Sequence, residues 1–168
     1  MSDKDHQDWT KEKVKTKVRR AFQKLVKKDP FLLKHNVNER SLTHRLAVYL
    51  ESCFSAYHVD CEYNRDGIGN RPKRISEIKN LDSFREKVAA DDDKGVTVYP
   101  DIIIHHRGEQ SGLVIIEAKK SNSGPNDDEQ KLKLYKEELG YPYAFFIIFP
   151  VKKTLNNLNY EDLIKEVE

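Results

Sequence analysis

Two acids and one lysine stand where a β-hairpin would bring them together. Asp101 precedes, and Glu117 and Lys119 follow, the turn-forming stretch Arg107-Gly108-Glu109-Gln110-Ser111-Gly112, which separates two apolar runs. With Glu109 at the turn centre, Asp101 faces Glu117. Directly opposed residues of an antiparallel pair share a face, with Cβ atoms about 4.5–5.5 Å apart. Lys119, two residues beyond Glu117, points the same way. A slip of one residue would scatter the three. Two adjacent carboxylates repel unless a cation lies between them. Oxygen ligands select hard ions, which points to Mg²⁺, with Mn²⁺ as a substitute. A lysine beside them can orient a water and steady its hydroxide form, a combination suited to phosphodiester hydrolysis. The same triple also reads as two strand-end acids neutralised by Lys119 in a salt bridge.

The elements that must position these residues are legible on both sides. Trp9, Val14, Val18, Phe22, Leu25 and Val26 recur at helical spacing, which predicts an amphipathic helix stopped before Asp29-Pro30. Asn36-Val37-Asn38-Glu39 resembles a helix start, followed by a stripe of Leu42, Leu46, Leu50 and Phe54. Glu39 lies on that stripe. It either meets a metal beneath the helix or serves as the acid of a capping box. From Tyr57 the period becomes two, predicting a strand over 57–65. Asp66 to Asn70 reads as a turn, and 71–95 as an irregular insertion with a short helix around Leu81 to Val88. Strands are expected over 96–106, 113–119 and 143–149, a helix from Asp127 or Asp128 to Leu139 ended by Gly140, and a last helix over 160–167. The central strands are apolar on both faces, so the sheet must be covered on both sides. The fold class expected is a three-layer α/β domain with a mixed sheet, divided into an N-terminal helical extension (1–35), a core (36–150) and a C-terminal helix (151–168).

Composition narrows the function classes. The 168 residues are 35% charged and 38% hydrophobic, enough apolar material for a core. The apolar run from Tyr143 to Val151 is too short for a bilayer, which needs about 20 residues, so no membrane partner is expected. Two cysteines make neither a disulfide scaffold nor, alone, a zinc site, which favours a reducing, cytoplasmic setting. The net charge of +2 excludes a highly basic coat protein. Local clusters matter more: Lys11–Lys28 and Arg71-Pro72-Lys73-Arg74 are candidate phosphate contacts, as is Arg65 on the strand beside the acids. His105 shares the face of Asp101 and reads as a satisfied histidine rather than a ligand.

Pro100-Asp101, the fifteen residues 102–116, and Glu117-Ala118-Lys119 resemble the PD-(D/E)xK motif of restriction-endonuclease-like nucleases. The element order over 36–150 is similar to that superfamily's αβββαβ core. The resemblance implies that Asp101 and Glu117 bind a metal with the Ala118 carbonyl, that Glu39 reaches it from the first helix, and that Lys119 positions the attacking water. It also implies a Gln and a Tyr on the following helix with three residues between them. Gln130 and Tyr135 have four, so Gln130 alone is carried as a nucleic-acid contact. The expectation is a Mg²⁺-dependent deoxyribonuclease of restriction, repair or phage defence, acting on DNA and compatible with a homodimer. The alternatives are a non-catalytic nucleic-acid-binding or protein-interaction module on the same fold.

Overall fold

A computed structural model describes residues 9–65, 68, 72–75, 96–110, 112–123 and 128–168. Helix α1 (Lys11–Lys28) is started by Thr10, whose hydroxyl accepts from the Lys13 N–H, and it stops at Asp29 before Pro30. Its buried stripe of Val14, Val18, Ala21, Phe22 and Leu25 follows the helical period. A short helix that the periodicity did not reveal, α2 (Pro30–Lys34), follows, with Pro30 opening it. Helix α3 (Glu39–Cys53) is capped by Asn38, not Asn36: the Asn38 side chain accepts from the Ser41 N–H at 2.8 Å. Leu42, Leu46 and Leu50 are fully buried on it.

A mixed five-stranded sheet forms the centre, in the order β1 (His58–Cys61), β4 (Ile102–His105), β5 (Gly112–Lys120), β6 (Tyr143–Phe149) and β7 (Ile164–Val167). A separate two-stranded ribbon pairs β2 (Arg74–Ile75) with β3 (Val96–Thr97). Within the main sheet only β5 and β6 run parallel, joined by α4 (Asp128–Leu139). Alternation along the strands builds two cores. Ile102, Ile104, Val114, Ile116 and Ala118 pack with α1 and α3, while Ile103 and Ile115 pack with Leu132 and Tyr135 of α4. The chain is thus a mixed α/β fold, with five helices among the described residues. No described helix is long and apolar enough to cross a membrane.

Three expectations need correction. The strand expected over 96–106 is two strands, separated around Pro100, which has no N–H for a ladder, and Asp101. The strand expected over 57–65 ends at Cys61, where Glu62 turns to a positive φ of 49°. The C-terminal helix is only α5 (Tyr160–Leu163), because the chain then becomes strand β7 against β6. Ile164 and Val167, three apart, look like one helical face. In a strand the same spacing sends them to opposite faces, and each enters a different core. The helix expected around 81–88 lies outside the described residues.

Gly112 marks where the hairpin tightens. The β4–β5 register shifts between Ile104 and His105, and a Cβ on Gly112 would run into the buried Tyr141 ring and His105 Cβ. Gly112→Ala should therefore lower stability by about 1–3 kcal/mol, the usual cost of overpacking. Urea unfolding of the variant checks this, and an unchanged midpoint would contradict it.

Candidate functional site

The hairpin register is the one that the site needs. Ile104 pairs with Val114, Ile103 with Ile115 and Ile102 with Ile116; the ladder ends there, and the same register taken one step further sets Asp101 against Glu117. The register shift lies at the hairpin's turn end and leaves this end undisturbed. Asp101, just before β4, accepts the Ala118 N–H through Oδ2 at 2.8 Å. That bond ties the first acid to the strand carrying the second.

Glu117 is 2% exposed. One carboxylate oxygen, Oε2, accepts from the Lys131 ammonium of α4 at 2.5 Å. The other, Oε1, is buried without a hydrogen-bond partner among the described residues. Burial, and then the charge of Asp101, push the Glu117 carboxyl up to about 8. Burial opposes the charge on Lys131, but Glu117, Asp101 and Asp128 outweigh it and raise that pKa, so Lys131 stays an ammonium. Tyr135, one helical turn beyond Lys131, is also buried, and its phenol is pushed up by burial and by the same three acids.

Lys119 lies near the pair without neutralising it. Its ammonium is 3.9 Å from Asp128 Oδ2 and about a third exposed. The cation that contacts Glu117 is Lys131, which corrects the salt-bridge alternative built on Lys119. Asp128, Lys131 and Tyr135, spaced by three and four, share one face of α4, and none of them is among the site residues expected from the sequence. The signal was present as an acid and a lysine interrupting the buried stripe that also holds Leu132.

The other candidates disperse. Glu39 opens α3 and is not a capping-box acid. Its Oε2 accepts the Lys120 N–H at 3.2 Å, at the end of β5. Ala118, between Glu117 and Lys119 in sequence, is buried and gives its N–H to Asp101. Gln130 is exposed, off the face that Lys131 and Tyr135 share. The three-residue gap expected before a tyrosine belongs instead to Lys131 and Tyr135, with lysine where glutamine was expected. Arg65 is exposed and Arg74 half-buried. Lys73 is only 1% exposed, its ammonium over the Tyr141 ring, so it is not the surface phosphate contact expected. His105 is buried, with Nε2 2.9 Å from Asp60, which Arg107 also grips. Its ring is committed as the satisfied histidine expected, and burial lowers its basicity despite Asp60.

Among the described residues, no group of three or more His, Cys, Asp or Glu side chains is gathered to hold a metal. Asp101 and Glu117 are the pair that meets, and the bare Glu117 Oε1 fits a hard cation: it is a buried carboxyl oxygen with no hydrogen-bond partner among the described residues, and a cation bound there would take the place of the proton that burial favours. In comparisons with protein-family models, curated proteins and solved structures, the chain matches none.

The raised carboxyl has a consequence for the metal-free protein. The fold holds the Glu117 proton up to about pH 8, whereas the unfolded chain releases it near its ordinary 4.5. Stability is therefore favoured below pH 4.5 and declines as pH rises through 8. In chelator, wild type should lose stability between pH 5 and 8.5 relative to Glu117→Gln, by roughly a few kcal/mol. Urea titrations of both proteins at the two pH values check this. Parallel pH dependence would show that burial of Glu117 carries no such cost.

Proposed function

We propose that the chain is a metal-dependent deoxyribonuclease built on a restriction-endonuclease-like core. What carries the reading is the buried, unpartnered Glu117 Oε1 beside Asp101. The sequence α3, β1, β4, β5, α4, β6, with β5 and β6 parallel, supports the αβββαβ resemblance. So does the register that sets Asp101 against Glu117. The two carboxylates would hold Mg²⁺ or Mn²⁺, with the Ala118 carbonyl and Glu39 as the further ligands that the resemblance implies. Once bound, the ion supplies Lewis-acid polarisation of a phosphodiester.

The protein's own groups have distinct tasks in this reading. Asp101 is fixed by the Ala118 N–H, so its carboxylate does not have to be ordered at the moment of reaction. Lys131 occupies one oxygen of Glu117 and leaves the other to face a ligand. Lys119, partly exposed, can donate to an attacking water and stabilise the hydroxide as its proton leaves. Restriction, repair or phage defence are the settings in which such an activity would serve. One observation favours a catalytically silent nucleic-acid module instead: Lys131 already provides Glu117 with a cation.

Plasmid cleavage separates the two. Wild type should degrade DNA with Mg²⁺ and stop in excess chelator. Asp101→Ala should cut at least ~10³-fold more slowly, about 4 kcal/mol of transition-state stabilisation. Lys119→Ala should be equally inactive while still binding DNA, because a lysine ammonium offers no lone pair to a metal. DNA binding with no cleavage in any divalent metal would select the silent module.

A further inference from the structure

On the α1–α2 side of the sheet, a cavity of about 800 Å³ opens between the C-terminal ends of α1 and α2 and the loop that follows β6. Lys27, Lys34, Lys152 and Lys153 line it, with Pro30 and Thr154 between them, and no acid does. Among the described residues none of these four ammonium groups is in an ion pair, although most other cations along α1 are engaged. Lys11 pairs with Glu166 and Glu168, Lys15 and Arg19 with Glu161, and Lys24 bonds Ser52. The acid nearest in sequence, Asp29, is held by Arg45 and Tyr49.

Lys27 and Lys34 sit in the last turns of their helices, where carbonyl dipoles favour a cation. That does not account for Lys152 and Lys153. The backbone of Lys152 takes a positive φ of 54°, uncommon for a side-chain-bearing residue, and its N–H donates to Leu33 O at 3.2 Å. The loop is thus bent and pinned against α2 so that two more lysines join the cavity. Four like charges around one concavity repel each other unless a polyanion enters it.

The cavity is tied to the end of the sheet that carries the acids. Ser121, two residues beyond Lys119, donates its N–H to Phe149 O, and its hydroxyl accepts the Val151 N–H, the residue before Lys152. We propose that this lysine-lined cavity holds backbone phosphates of a DNA duplex as it runs to Asp101, Glu117 and Lys119. The proposal rests on the nuclease reading and names the path of its substrate. Binding is then carried by Lys27, Lys34, Lys152 and Lys153 rather than by the whole of α1, and it is indifferent to sequence, since phosphates carry no base identity.

The test is fluorescence anisotropy of a labelled duplex over a salt series, in chelator so that nothing is cut. Lys152→Gln/Lys153→Gln should lower affinity about tenfold or more at low salt. It should also reduce the slope of log K against log salt by about 2, at about 0.9 per lost contact. Lys133→Gln/Lys165→Gln removes two exposed lysines elsewhere and should leave the slope unchanged. Equal losses in both pairs would mean a net-charge effect and overturn the proposal. So would wild-type affinity in the cavity pair, or equally tight binding of poly-glutamate, which would make the occupant an acidic protein. Loss of cleavage in Asp101→Ala alongside undiminished binding by the cavity pair would leave the nuclease reading standing and remove this one.

Discussion

The contact on which the rest turns is a carboxylate buried against a single ammonium. Glu117 lies in the layer between the sheet and α4, one oxygen on Lys131 and the other bare. Burying a carboxylate is costly unless it is paired and fully hydrogen-bonded; here it would be only half satisfied, which is why the fold favours the protonated acid up to about pH 8. An apolar residue at that position would pack without such a cost. A half-satisfied acid beside a second acid makes sense as a place for a further cation. That is why the proposed chemistry starts from Glu117 rather than from the more exposed Lys119.

The architecture around it explains how two acids can be held so close. The Ala118 N–H fixes Asp101 directly, and the ladder that precedes it fixes the facing of the strands. Pro100, which has no N–H to give a ladder, lies between the ribbon strand β3 and the start of β4 at Ile102. Apolar residues on both strand faces leave few ways for the hairpin to slip, because each face is buried against its own helices. The same sheet brings the ends of β5 and β6 together. The bonds of Ser121 to Phe149 and Val151 then join the end of β5, two residues past Lys119, to the start of the lysine loop.

Much of this was legible because the period of burial is strong. The stripes on α1 and α3, the hairpin and its facing, and the strand after Gly140 all follow from side-chain spacing and turn chemistry. The misses have local causes. Ile164 and Val167 satisfy a helical spacing and a strand's two-sided burial equally well, so periodicity over four residues could not separate them. Asn36 and Asn38 are both good caps, and only the geometry assigned the role to Asn38. A lysine and an acid near a helix start ordinarily face solvent, so Lys131 and Asp128 read as surface in the sequence. Both are buried here by packing against the sheet, which no local pattern encodes. Lys73 is the related case: a basic run reads as surface, yet its side chain is buried.

In the nuclease reading, Asp101 and Glu117 together hold one divalent cation that the protein's own lysines do not replace. Titration of metal-free protein with Mn²⁺, followed by calorimetry, measures this directly. One ion should bind per chain, with binding lost in both Asp101→Ala and Glu117→Gln and retained in Lys119→Ala. Saturable binding that survives loss of either acid, or no binding by the folded wild type, would contradict it and leave the Glu117–Lys131 pair a purely structural contact.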